Sequence, residues 1–413
     1  MFDPARALST DGGLPADHWH QARPNAFLAK NNFGGIHMFV SMLRKWLKRP
    51  HQFSKTVWCA AFLLFGLDSL THAQSLPSNK AMTGNSLGLK EAPRQATTRS
   101  TSGRRNTPVL NAGFLLGVFS GGFDPKSADR FEIWLGRKSD FNVEFLTETA
   151  YTDCVGPGGA KITDALSHSG WLPPVWAAGH ADRNMLFSIP LATKQDRSLA
   201  NVAVGQYDVV FTNIAKNIAS NYPNAIIRIG WEFNADWYAW SAAGRTQDYI
   251  NAFRRVSNIF KSVSPTFTID WCPVNGFSAN ASAEQAYPGD DVVDVIGLDL
   301  YNDYRWGDYK TDPVKRWEWL KTFSHGLVWQ QAFSTAHGKP MSLPEWGVNQ
   351  DDPYFIEQMY NWITTHDYAY VAYWNSNSAF AGALSNNQYP NAAAKYKQLF
   401  GTLPSPSLSG KVN

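Results

Sequence analysis

Cysteine is scarce, three residues in 413. So few thiols cannot build a disulfide framework, and neither Cys154 nor Cys272 has partners at zinc-ligand spacing. A single bridge between those two stays open, since sequence alone does not say whether they meet. Charge is also sparse, at 17% of residues. No apolar run reaches the roughly 18–20 residues that span a bilayer. There is no phosphate loop and no nucleophile-elbow serine. "SGGFDP" after the first apolar run has adjacent glycines but lacks dinucleotide-fingerprint spacing, so it reads as a tight turn.

Net charge is +3, but its distribution is uneven. Residues 1–107 carry 14 Lys/Arg against 5 Asp/Glu, and the remainder carries 23 against 29. A nucleic-acid binder keeps its basic surface on the folded part, so a nucleic-acid partner is not expected. The basic excess has another explanation. From Met42 the chain reads "MLRKWLKRPHQFSK", then "TVWCAAFLLFGL", then "THAQ". A basic segment, an apolar stretch of about a dozen residues and a small-x-small site describe an export signal cleaved after Ala73. Residues 1–73 are therefore expected to be a leader whose true start lies near Met42, leaving no stable membrane insertion after cleavage. The destination is the periplasm or the medium.

Residues 74–107 are rich in Ser and Thr and poor in large apolar side chains, the composition of a linker. Apolar content then rises and holds to about Leu403, so 108–403 is expected to be one folded domain with 404–413 as a tail. Eight short apolar runs punctuate it: 114–120, 141–148, 186–192, 225–231, 267–273, 293–301, 341–347 and 370–376. Helical periodicity lies between them. Val210, Phe211, Ile214 and Ile218 recur at three- and four-residue steps, as do Ile250, Phe253, Val256, Ile259, Phe260 and Val263, with Thr246 placed as an N-cap. Eight strand–helix units in about 295 residues predict an α/β fold, a single (β/α)₈ TIM barrel.

Such barrels carry their chemistry at the C-terminal ends of the strands. Those ends read Trp231-Glu232-Phe233-Asn234 on the fourth run and Asp299-Leu300-Tyr301-Asn302-Asp303 on the sixth. The seventh ends in Glu345-Trp346-Gly347 and the eighth in Trp374-Asn375. Glu232 and Glu345 would face one cavity. Two opposed carboxyls suit cleavage of a glycosidic bond, one protonating the leaving oxygen and the other ionised beneath the developing oxocarbenium centre. Glu148 and Asp270 are weaker candidates. The chain is also unusually rich in tryptophan, with 17. Flat aromatic faces around Glu232, namely Trp237, Tyr238 and Trp240, are expected to be platforms for sugar rings. Trp346 is counted with the substrate-binding residues as well. Asn234, Asn275 and Asp299 are candidates for hydroxyl contacts or loop caps. Arg228, four residues before Glu232, is placed either to hold a carboxylate ionised or to bind a hydroxyl.

"RIGWEFNADWYAW", "VDVIGLDLYND" and "MSLPEWGV" resemble, in order, the fourth-, sixth- and seventh-strand motifs of family 26 glycoside hydrolases, the β-mannanase family. The resemblance runs over residues 110–400. It implies a retaining endo-β-glycosidase with Glu232 as general acid/base and Glu345 as nucleophile, and no metal or cofactor. Tyr301 would hydrogen-bond the nucleophile, and Trp374 would floor the subsite of the reacting sugar. The implied substrate is a β-linked polysaccharide, β-1,4-mannan by default, handled by a monomer. One position departs from the family: Trp231 stands where His usually precedes the acid/base glutamate. That change opens β-glucan, β-1,3-xylan or a bacterial exopolysaccharide as the polymer. A transglycosylase would share every residue named. A non-catalytic carbohydrate-binding barrel serving polysaccharide synthesis or export would need the aromatic groove but not both glutamates.

Overall fold

A computed structural model describes residues 113–405, apart from 153, 156–160, 163, 277–280 and 380. The leader and linker expected over 1–107 lie outside the described residues.

Eight parallel staves close into a barrel. They are β1 (Leu115–Phe119), β2 (Phe141–Phe145), β3 (Asn184–Ile189), β4 (Ile226–Ile229) and β5 (Thr268–Trp271). β6 is laid down in two short pieces, Val295–Ile296 and Leu300–Asn302, followed by β7 (Met341–Val348) and β8 (Tyr368–Trp374). β8 pairs in parallel with both β7 and β1, which closes the ring. All eight apolar runs of the sequence became staves. The break in β6 has a register cause: its first piece pairs with the start of β7 and its second with residues 346–348, on the far side of Gly297–Asp299.

Alternation along the staves separates two environments. Phe141, Val143, Leu186, Ile226, Val295, Tyr370 and Ala372 pack inside the barrel and fill its floor. The opposite faces pack on the helices, with Ile227, Ile229 and Ile269 in one layer and Leu298, Leu343, Trp346 and Tyr373 in another. Two periodic segments of the sequence form α4 (Asp208–Ala219) and α5 (Thr246–Val263), following α1 (Pro125–Leu135), α2 (Ala165–His180) and the short α3 (Leu199–Ala203). Phe211, Ile214 and Ile218 are buried on one, and Phe253, Val256 and Phe260 on the other. Thr246 is the first residue of α5 and not its cap. Arg245 holds that position and makes no side-chain capping bond. The barrel is completed by α6 (Pro313–Thr322), α7 (Leu327–His337), α8 (Pro353–Thr365) and α9 (Pro390–Phe400). Among the described residues no helix is long and apolar enough to cross a membrane.

Candidate active site

The end of β4 turns sharply. Gly230 has φ +51°, and Glu232 follows with φ +50°, a left-handed backbone uncommon for a residue with a side chain. A Cβ on Gly230 would come within 2.8 Å of Leu191 Cβ, so only glycine fits there. The strained turn is held by the Glu232 N–H donating to the Cys272 carbonyl (2.8 Å) and by the Ala235 N–H donating to the Glu232 carbonyl (3.1 Å). Its result is to set the Glu232 carboxyl at the mouth of the barrel, where Trp237 Nε1 donates to Oε2 at 2.7 Å.

Glu345 lies at the end of β7 and is held differently. Arg228 Nη2 donates to Oε1 and the Tyr301 hydroxyl to Oε2, both at 2.5 Å. Arg228 is fully buried. Its other contacts are a two-point pair with Asp299 (2.9 and 3.0 Å) and two bonds to Ser188 Oγ (2.8 and 3.0 Å). Its guanidinium also lies 5.2 Å from the Phe145 ring centre and 5.4 Å from that of Trp231. Burial works against its charge, but Asp299 and Glu345 outweigh that and raise it well above its ordinary value. Burial raises the Asp299 carboxyl above the usual range while Arg228 opposes the shift. Tyr301 is pushed up by burial and by the charges of Glu345 and Asp299, so it stays a phenol and donates. One residue reaches both glutamates' surroundings: Tyr301 bonds Glu345 and lines, with Glu232, a cavity of about 280 Å³.

The residues expected at the site fall into three groups. Glu232, Glu345, Tyr301 and Trp237 meet at the barrel mouth, and Trp374 stacks on Phe119 (4.2 Å) with its ring centre 6.3 Å from Tyr301. Arg228, Asp299 and Trp231 lie beneath, buried, and act on the site through other side chains. Trp240 and Trp346 depart from expectation, and Asn234 takes the loop-capping role of the two expected for it. Trp240 is buried, stacked on Tyr238 at 4.4 Å, and donates to the Trp231 carbonyl, so it braces the wall and offers no platform. Asn234 is buried and spends its amide on Val274 and Gly276, tying the β4 and β5 loops together. Trp346 points outward because Glu345 points inward. It packs between Tyr373, Tyr396 and Phe400 under the helices, where no substrate reaches.

The weaker candidates resolve as supports. Glu148 is buried and pairs with Lys194 at 2.7 Å. Asp270 is buried deeper in the barrel and accepts from Ser342 and Tyr370. Cys272 is a free, buried thiol. Sequence reading missed Trp306, Trp319 and Phe323, which line the cavity beside Glu232. Their only signal was aromatic density in a segment with no strand end to anchor it. Among the described residues no three His, Cys, Asp or Glu side chains form a metal-binding cluster. A wider surface groove, about 540 Å³, runs along α4 and α5 and is lined by neither glutamate. Its arginines are already paired, Arg255 with Asp208 and Arg254 with Asp291.

Comparison with known proteins adds to this geometry. Residues 186–315 match the model of "Glycosyl hydrolase family 26". A curated relative, "Endoglucanase H" of Acetivibrio thermocellus, is 24% identical over 315 residues. The match covers 70% of this chain but 31% of that protein, so the chain spans about a third of its relative's length. Among solved structures, the YdhT protein of Bacillus subtilis superposes with a TM-score of 0.50 at 15% identity, covering 70% of this chain and 86% of that one. A family 26 β-mannanase of Bacteroides ovatus gives 0.49 at 17% identity, covering 70% and 88%. The ordered motifs, the closed barrel and the match over residues 186–315 agree with one another, and over that segment the chain is similar to glycosyl hydrolase family 26.

Proposed function

We propose that the chain is a retaining, endo-acting glycoside hydrolase that cleaves a β-linked polysaccharide by double displacement. The observation that carries this reading is the unequal treatment of two carboxyls at one barrel mouth. Glu345 receives a guanidinium and a phenol, the surroundings of an ionised nucleophile. Glu232 has an indole N–H on one oxygen and borders the cavity, the surroundings of a group that exchanges protons with substrate.

In the first step Glu345 attacks the anomeric carbon while Glu232 protonates the departing oxygen, giving a glycosyl ester on Glu345. In the second, Glu232 takes a proton from water, whose oxygen attacks the same carbon and returns Glu345 to its carboxylate. Arg228 and Tyr301 hold the nucleophile in place through both steps, and Asp299 and Ser188 hold Arg228. Trp374 and Phe119 form the aromatic floor on the nucleophile's side.

β-1,4-Mannan is the first polymer to test. β-Glucan stands beside it, favoured by Trp231 in place of the family's usual His and by the name of the curated relative. The basic–apolar–small pattern over 42–73 supports export, to the periplasm or the medium. The deciding experiment measures reducing ends released from β-mannan, mixed-linkage β-glucan, β-1,3-xylan and a bacterial exopolysaccharide by the wild type, Glu232→Ala and Glu345→Ala. Cleavage of one polymer that vanishes in both variants is the expected result. Binding of a polymer by all three proteins with no cleavage by any would mark a carbohydrate-binding barrel instead.

A further inference from the structure

Behind the cavity wall, the connection between α6 and α7 carries a histidine in an unusual setting. His325 is 3% exposed and has φ +50°, a left-handed backbone that Asn, Asp and His tolerate better than other side chains. Its ring meets Trp329 edge to face at 4.7 Å. Nδ1 lies 3.0 Å from the Gly276 carbonyl, and Nε2 lies 3.4 Å from Glu284 Oε2.

Both partners can only accept. A carbonyl has no proton to give, and Glu284 is held ionised. Burial raises its carboxyl, but Ser282, its own backbone N–H, Trp329 and the charge on His325 bring it down from 4.5 to about 2. A neutral imidazole has one N–H and one lone pair, so it answers one acceptor and turns its lone pair on the other. Only the imidazolium donates to both. Glu284 is the one titratable side chain bonded to His325 among the described residues. Charges on the surrounding elements are answered elsewhere: Lys321 of α6 by Glu318 (2.8 Å), His337 of α7 by Asp290 (2.8 Å) and Arg254 of α5 by Asp291 (2.7 Å). The proton on the ring therefore decides how many of the two bonds exist.

The Gly276 carbonyl matters because of where it sits. Val274, Asn275 and Gly276 follow β5 and line the cavity that Glu232 borders, as does Phe323 just after α6. Gly276 has φ +80°, and a Cβ there would lie 3.2 Å from the Phe323 ring, so the two segments touch. The Gly276 N–H donates to the Ser324 carbonyl at 2.6 Å, and its own carbonyl also accepts from Asn234 Nδ2 at 3.1 Å. His325 completes this strap between the β5 loop and the α6–α7 connection. When the ring loses a proton, its remaining N–H stays with the charged acceptor, Glu284, the stronger of the two. A lone pair then faces the Gly276 carbonyl, and the strap is weakened on that side.

We propose that His325 is a positioning residue, a proton-dependent latch that acts through Gly276 to fix the cavity wall while substrate is held. This rests on the reading that a polysaccharide is cleaved beside Glu232. With the imidazolium in place the wall is set. Without the proton the wall gives way and KM rises, while kcat keeps the pH profile that Glu232 and Glu345 impose.

Two variants push in opposite directions. His325→Asn suits the left-handed backbone but has no titrating group and is too short to reach both partners. Glu284→Gln turns one acceptor into an amide that can donate to Nε2, so a neutral ring keeps its bond from Nδ1 to Gly276. For the wild type and both variants, kcat and KM on the cleaved polymer are measured across pH. NMR of protein labelled with ¹⁵N-histidine locates the titration of the His325 ring, and thermal melts show that each protein is folded. In the wild type KM should rise about fivefold with the same midpoint as the ring. His325→Asn should show the raised KM at every pH, and Glu284→Gln the low one. A wild-type KM indifferent to that midpoint, or a His325→Asn profile like that of the wild type, overturns the proposal. The Gly276 amide reports on the latch without substrate: its NMR shift should follow the ring in the wild type and stay flat in Glu284→Gln. If no polymer is cleaved but the Gly276 amide behaves so, the cleavage reading falls and the latch remains. If a polymer is cleaved and the Gly276 amide ignores the ring, the latch alone is overturned.

Discussion

Arg228 has no exposed surface, so its charge is answered within the protein, by Asp299 and Glu345, while Ser188 accepts two further bonds. A buried ion pair is not in itself a strong source of stability, because desolvation offsets the attraction. Its value here is placement. A planar guanidinium makes five bonds to three partners in one fixed plane, more than the three N–H donors of a lysine could supply. Glu144 is the contrasting buried acid, since among the described residues no cation pairs with it. Its Oε1 accepts from the Phe123 N–H and from Trp176 Nε1, each at 2.8 Å, and Oε2 has no partner among the described residues. Burial pushes its carboxyl from 4.5 up to about 8, only partly opposed by those two donors. The folded chain therefore keeps a proton that the unfolded chain releases. The contribution to stability is fully present below about 4.5, declines as pH rises, and is lost once pH passes about 8. Glu144→Gln keeps the accepting oxygen and removes the titration. Melting temperatures of variant and wild type should coincide near pH 4.5 and diverge by pH 8, the variant melting higher by roughly 5 °C or more. Parallel melting curves across that range would show that Glu144 does not hold its proton.

Among the elements, the end of β4 concentrates the local strain. Gly230 must turn left-handed beside Leu191 so that Trp231 can pack inward and Glu232 can reach the mouth. Gly244 is also left-handed, at φ +68°, but a Cβ there meets nothing within 4 Å. The pair isolates the steric component. Gly244→Ala should cost about 1 kcal/mol, the conformational penalty alone. Gly230→Ala should cost at least about 2 kcal/mol in urea unfolding, and should lower turnover sharply because Glu232 is two residues away. Equal costs would mean that the β4 turn is not sterically set. This turn also marks where sequence stops being legible. The eight staves could be read from apolar runs, and Glu232 and Glu345 from their positions at run ends. The break in β6 could not, because it depends on how two neighbours pair with β7 and not on the run itself, which is continuous from Val293 to Tyr301. The cradle of Trp306, Trp319 and Phe323 was hidden for a related reason. It is assembled by Arg316 reaching back to three carbonyls of a loop, and a backbone acceptor leaves no trace in residue type.

For the molecule as a whole, parity along the staves separates the residues that make the site from those that make the fold. Glu345 and Trp346 are neighbours in sequence, yet one faces Arg228 and the other faces α9 through Tyr396 and Phe400. Reading both as site residues followed from their shared motif. The motif is continuous, however, while a strand alternates its side chains with every residue. The division can be measured. Trp346→Phe removes volume from a fully buried layer and leaves partners on every side of a small void, so it should cost roughly 1–3 kcal/mol in urea unfolding. It should leave KM for the cleaved polymer within about twofold, because no cavity-facing atom changes. Trp306→Ala should behave in the opposite way, with little change in unfolding, as expected for a residue 42% exposed, and a KM raised several-fold. If Trp346→Phe raised KM as Trp306→Ala does, with no loss of stability, the outward face of β7 would have to reach substrate, and the barrel's division between an inner chemical face and an outer structural one would fail at the stave that carries Glu345.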